Sequence, residues 1–147
     1  MSQISIIRIT RSNHTLLNDT FFQLFPYADR SDNSTRALTI AADDRSYLYI
    51  AYDGDAITGY ALGYRFPALF DKGNMAYVYD IEVLPADRRK GIGKALMESL
   101  LNDLKTDGVT EAWLGTDTGN VPAQALYHAT GGERSDDTFY DFTYTLA

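Results

Sequence analysis

The spacing of apolar residues changes along the chain, and each change marks an element. Ile4-Ser5-Ile6-Ile7-Arg8-Ile9 reads as an opening strand, after which Leu16, Leu17, Phe21, Phe22, Leu24 and Phe25 fall near helical spacing until Pro26 stops them. The polar run Asp29 to Ser34 reads as a loop, followed by a short helix from Thr35 to about Ala42. Ser46 to Tyr52 and Ala56 to Phe66 are β-branched and aromatic. Asp53-Gly54-Asp55 joins them as a hairpin, and Pro67 closes the second. Ala76 to Val83 predicts a buried strand between Gly73-Asn74 and Pro85. Apolar residues then recur at Ile92, Ala95, Leu96, Leu100, Leu101 and Leu104, the period of a helix, with Gly108 as its stop. Glu111 to Thr116 is a further strand, Pro122 to about Ala129 a further helix leading to Gly131-Gly132, and Thr138 to Leu146 a long alternating strand. Hairpin-linked strands come first and βαβ-like units later, which calls for a mixed sheet with helices on both faces.

A chain of 147 residues predicts one domain, residues 1–147, able to bury a core without metal or disulfide staples. It has no cysteine, which excludes disulfides, thiolate zinc sites and a cysteine nucleophile. His14 and His128 stand in no metal-ligand pattern, so no metal is expected. No basic-then-apolar leader and no apolar run of membrane-spanning length appears, so a cytoplasmic protein without a membrane partner is expected. The formal net charge of -7 argues against nucleic acid as a partner, because that affinity rests on neutralising phosphates. It suits a cationic small molecule instead.

Positive charge is nevertheless concentrated in one place, Arg88-Arg89-Lys90-Gly91-Ile92-Gly93-Lys94, between the predicted strand ending at Val83 and the helix beginning at Ile92. A helix N-terminus offers unpaired N–H groups and the positive end of the helix dipole, and both favour a phosphate anion. Gly91 and Gly93 lack Cβ atoms and let a ligand approach the main chain. The spacing matches neither the nucleoside-triphosphate loop nor the dinucleotide fingerprint. Arg88-x-x-Gly91-x-Gly93 resembles the [RQ]-x-x-G-x-[GA] acetyl-CoA loop of the GNAT N-acetyltransferases. About thirty residues further on, Asn120-Val121-Pro122-Ala123-Gln124-Ala125-Leu126-Tyr127-His128-Ala129-Thr130-Gly131 matches that family's N-x-x-A-x-x-L-Y-x-x-x-G. The resemblance covers the chain from about Ser46 onward. It implies the GNAT fold, an α/β (α+β) architecture with a central mixed, mostly antiparallel twisted sheet of six to seven strands and about four helices.

The resemblance also implies roles. Acetyl-CoA would be the co-substrate, its pyrophosphate held by Arg88, Arg89, Lys90, Gly91, Ile92, Gly93 and Lys94, its pantetheine arm by Asn120 and Ala123. A bulge in the strand before the loop would free main-chain donors from Ile81 to Val83 for the acetyl carbonyl. Tyr127 would supply the proton to the departing thiolate, and Asp80 first, Glu82 second, would take the proton from the attacking amine or hold it. Val121 is expected as the cap of the second-signature helix, with Asn120 just outside it.

Tyr77 to Val83 followed by Arg88 to Leu96 is most similar to the type I aminoglycoside 3-N-acetyltransferases, which implies the 3-amino group of an aminoglycoside as acceptor and Asp80, Glu82, Asp117, Asp136, Asp137 and Asp141 as partners for its cationic groups. Two departures are visible. Gly93 stands where those enzymes often have Ala, and Gly132 where an aromatic commonly follows the last glycine. Another small amine, a polyamine or a peptide N-terminus is the alternative acceptor, and a non-catalytic acetyl-CoA-binding module is the alternative of a different class. A homodimer is expected, with the aromatic final strand as either its interface or ordinary core.

Overall fold

A computed structural model describes residues 3–26 and 33–147. The chain divides into two compact units, residues 1–115 and 116–147.

The first unit is built on a five-stranded sheet whose spatial order is its chain order: β1 (Ile4–Arg8), β2 (Ser46–Asp53), β3 (Ala56–Pro67), β4 (Asn74–Val83) and β5 (Val109–Trp113). β1 to β4 form an antiparallel meander, whereas β5 joins β4 in parallel. That parallel step requires a crossover, and helix α3 (Ile92–Thr106) provides it. The helices α1 (Asp19–Leu24) and α2 (Asn33–Ala42) precede β2.

Every residue from Ser46 to Ala51 of β2 is buried, because both faces of the sheet are covered. On one face Phe21, Phe25 and Ala37 pack with Ile9, Leu17, Leu48, Ile50 and Tyr60. On the other lies α3, whose Ile92, Leu96, Met97, Leu100 and Leu104 are all buried. Gly59 and Gly63 of β3 face this helix bare: a Cβ on Gly63 would stand 3.1 Å from Leu100. A polar strap fastens the same helix to β2, since Tyr49 donates to Asp103 and Tyr47 to Asp107, each at 2.6 Å. Burial pushes both phenols above their ordinary pKa, with the neighbouring carboxylates acting in the same direction, so both stay protonated donors.

The first helix is shorter than the apolar spacing predicts. Leu16 and Leu17 fall in and after a short 3-10 turn, and α1 starts only where Asn18 caps it by accepting from the Phe21 N–H at 3.2 Å. It ends before Pro26, as the restriction on a pre-proline residue requires. Asn33 and Ser34, predicted as loop, open α2; the rest of that predicted loop, residues 29–32, lies outside the described residues. β5 runs from Val109 to Trp113, earlier than the predicted Glu111 to Thr116.

The second unit contains helix α4 (Val121–Ala129). Asn120 is its N-cap, accepting from the Ala123 N–H at 3.2 Å; Val121, expected as the cap, is the first helical residue. The helix stops in a Schellman motif: Gly131 has φ +94°, its N–H reaches the His128 carbonyl, and the Gly132 N–H reaches that of Tyr127 at 2.8 Å. The predicted strand from Thr138 to Leu146 is not a strand. These residues join no ladder among the described residues, and Tyr140, Phe142, Tyr144 and Leu146 are exposed. The sheet therefore holds five strands where six to seven were expected. Alternation specifies two faces, but a strand also needs an edge to pair with, which no local pattern supplies. No helix among the described residues is long and apolar enough to cross a membrane.

Candidate acyl-transfer site

Asp80 to Val83 form the end of β4, and the chain passes from there through Pro85–Asp87, a 3-10 turn, into the basic loop and α3. Three features of the backbone open this region.

The first is a β-bulge. Leu62 pairs with Asp80 while the next residue, Gly63, pairs with Val78, so Tyr79 is an extra residue in β4. The bulge lies upstream of Ile81 to Val83, whose pairing with Ala61 to Gly59 stays in register. Its consequence is a change of face. Val78 pairs with Gly63 on the α3 side, and strict alternation would send Asp80 there too. The inserted residue turns Asp80 to the face of α1, where it accepts a hydrogen bond from the Tyr60 hydroxyl. Glu82, paired with Tyr60, shares that face and is exposed; Asp80 is half-buried. Tyr79 itself projects among aromatics on the same side, 6.0 Å from the Tyr64 ring and 6.4 Å from that of Tyr77.

The second is an open strand edge. β5 accompanies β4 only from Asn74 to Tyr77, whose partner is Trp113, so β4 continues from Val78 to Val83 with no strand on that side among the described residues. Alternate main-chain groups along this stretch project from the open edge.

The third is the start of α3. Gly91 is the cap at φ +79°, with no side chain capping the helix and no acidic residue in its first turn. The Ala95 N–H bonds the Gly91 carbonyl, and the N–H groups of Ile92, Gly93 and Lys94 precede the first intrahelical bond. Nothing stands within 4 Å of the place a Gly91 Cβ would occupy. Arg89 also has positive φ, +64°, the one non-glycine residue with such a φ among those described. A backbone that holds a residue with a Cβ atom in this region stores strain, as loops that bind ligands through their main chain do. Arg88 ties the loop to β4, its Nε donating to the Val83 carbonyl at 3.1 Å, and Lys90 pairs with Asp87 at 3.3 Å. Uncapped donors, positive charge and the absence of obstructing side chains fit a pyrophosphate.

A family model described as the acetyltransferase (GNAT) family matches residues 11–131. The chain belongs to the GNAT acetyltransferase family. A ribosomal protein bS18-alanine N-acetyltransferase of Salmonella typhimurium is 39% identical over 56 residues, 38% of this chain and 38% of that protein. A streptothricin acetyltransferase of Streptomyces lavendulae is 30% identical over 109 residues, 74% of this chain and 55% of that protein. The chain thus spans about two fifths to a little over half the length of these relatives. Among solved structures, the aminoglycoside N-acetyltransferase AAC(6')-Iy in complex with a bisubstrate analogue has a TM-score of 0.78 at 19% identity, covering 98% of this chain and 100% of its own, which establishes the shared fold.

Against that family pattern, the residues expected from sequence fall into three groups. Asp80, Ile81, Glu82, Val83 and the loop from Arg88 to Lys94 are brought together in the first unit, at the end of β4 and the start of α3. Asn120, Ala123 and Tyr127 lie on α4 or its cap in the second, with Asp117 in the turn just before it, where the Asp117 carbonyl accepts from the Asn120 N–H. Asn120 spends its side-chain oxygen on the cap, which leaves Nδ2 as its donor group. Tyr127 is half-buried, and its carbonyl is the one Gly132 bonds; a Cβ on Gly132 would stand 2.9 Å from that oxygen, so glycine suits this departure from the family's aromatic. Asp136, Asp137 and Asp141 form the third group, exposed on the segment that pairs with no strand. Tyr60 was missed. As one tyrosine among eleven it carries no local signal, and only the bulge brings Asp80 to it.

Proposed function

We propose that this protein acetylates a primary amine of a small polycationic acceptor, most concretely the 3-amino group of an aminoglycoside, using acetyl-CoA. The observation that carries this reading is the open, uncapped start of α3 directly after a β4 that is bulged and free along one edge. Acetyl-CoA supplies the activated acetyl group. Ile92, Gly93 and Lys94 hold the pyrophosphate through their N–H groups, with Arg88, Arg89, Lys90 and Lys94 adding charge. Ile81 and Val83 belong to the stretch of β4 whose main chain meets the acyl end, and Asn120 and Ala123 to the helix start that meets the pantetheine arm.

Attack needs a neutral amine, and an acceptor amine arrives as an ammonium ion. Asp80 takes that proton, directly or through water, while Glu82 on the same face holds the cation. Tyr127 gives its phenolic proton to the departing sulfur. Asp117, Asp136, Asp137 and Asp141 add to the attraction for the acceptor's remaining charges. The protein acts as a homodimer, with the alternating segment from Phe139 to Leu146, whose apolar side chains are exposed, pairing with a second copy.

Thiol release from acetyl-CoA, followed with a chromogenic thiol reagent over gentamicin-type aminoglycosides, polyamines and a peptide amine, tests the reading, and NMR of the product locates the acetyl group. Turnover with aminoglycosides and a 3-N-acetyl product is expected. No turnover with any amine identifies a binding module instead. A streptothricin belongs in the same panel, because the relative of that name matches 74% of this chain.

A further inference from the structure

Tyr60 is 5% exposed, and its ring is gripped edge-on by two phenylalanines of the α1 region, Phe25 at 4.8 Å and Phe21 at 5.4 Å between centroids. A buried phenol needs a hydrogen-bond partner, and this one donates to Oδ2 of Asp80. The two residues are diagonal neighbours on adjacent strands, since Tyr60 pairs with Glu82 and Asp80 with Leu62. They meet because the bulge at Tyr79 places Asp80 on the α1 face. The Phe21 and Phe25 rings stand 5.1 Å apart and pack together against Tyr60, so a buried ring with these two edge contacts has little room to turn, and its hydroxyl holds the carboxylate that receives the bond.

We infer that Tyr60 is a positioning residue for acyl transfer, holding the Asp80 carboxylate in the orientation that accepts the amine proton, with Phe21 and Phe25 as the clamp that holds Tyr60. This rests on the role proposed for Asp80. A carboxylate hinged on a strand without such a donor samples several rotamers, of which only some face the nucleophile, and proton transfer falls with a misplacement of about 1 Å. A structural role alone would lower stability without a selective effect on the step that Asp80 serves.

The test is a double-mutant cycle on kcat for the best acceptor amine, using Tyr60→Phe, Asp80→Asn and the pair, with thermal melts of each. Tyr60→Phe keeps the ring packing and removes only the hydroxyl. It is expected to lower kcat roughly 5- to 10-fold, the effect of about one hydrogen bond, with KM for acetyl-CoA unchanged. In the Asp80→Asn background the same change should have no further effect. Phe25→Leu, which keeps the hydroxyl and loosens the clamp, should give a smaller loss that also vanishes in that background. If Asp80→Asn lowers kcat but the two effects multiply, or Tyr60→Phe alone leaves kcat intact, Tyr60 does not act through Asp80 and the inference falls while the base stands. If Asp80→Asn turns over at the wild-type rate, the assignment of the base itself is wrong.

Discussion

Replacing Gly59 by Ala tests the close approach on which the end of β4 depends. Gly59 pairs with Val83, and an added Cβ would lie 2.6 Å from the Glu82 carbonyl oxygen, 3.3 Å from Val83 Cα and 3.3 Å from a Leu96 methyl. The nearest of these is main chain of β4 and cannot rotate away, so β4 must separate from β3, and the Leu96 methyl must give as well. Overpacking of this kind costs about 1–3 kcal/mol, offset by about 0.5–1 kcal/mol because Ala loses less backbone entropy than Gly. Mid-range values leave a net of about 1.3 kcal/mol, a fall in Tm of roughly 3–5 °C for a chain of this size. Urea unfolding followed by circular dichroism measures it. Gly115→Ala is the control, since nothing lies within 4 Å of its added carbon, and its stability should change by no more than about 0.5 kcal/mol. The displaced atoms belong to Glu82 and Val83, so KM for acetyl-CoA should rise in the Gly59 variant and not in the control. Equal stability of the two variants would refute the reasoning.

Gly91→Asp puts an L side chain at φ +79°, a strain of about 1–3 kcal/mol that a thermal melt should show, and its negative charge at the start of α3 should weaken acetyl-CoA binding by calorimetry at least about tenfold at a temperature where the variant is folded, an affinity equal to wild type excluding the loop as the binding site. Tyr127→Phe should lower kcat by about 100-fold at unchanged acetyl-CoA affinity, and a parallel loss of both would make Tyr127 structural. Burial raises the pKa of Tyr47, Tyr49, Tyr52 and Tyr64, the ordinary value being 10.0. The unfolded chain therefore sheds these protons first, the stabilisation is complete below pH 10, and stability should decline as pH rises beyond it, more gently in Tyr49→Phe when both are followed by urea midpoints.

The strands β1 to β4, the helices α2 to α4 and the basic loop were legible in the sequence to within a few residues, because each is encoded by local period, by turn residues such as Asp53-Gly54-Asp55, or by a stop such as Gly108. The basic, glycine-containing approach to the helix start at residues 88–94 was legible for the same reason: it depends on backbone freedom and on charge close in sequence. Three things were decided only in the tertiary structure. The extra residue at Tyr79 arises from how β4 pairs with β3, and nothing in Tyr77-Val78-Tyr79-Asp80 itself announces it; yet it alone sets the face of Asp80 and brings Tyr60 to that carboxylate. The segment from Thr138 to Leu146 has the alternation of a strand and joins no ladder among the described residues, since pairing is a property of two segments. The opening along β4 depends on β5 stopping at Trp113, where a strand predicted to continue to Thr116 does not. Period and composition act over a few neighbours and can be read along one dimension; register, edge and partner are relations between segments distant in sequence, and only folding brings those segments together.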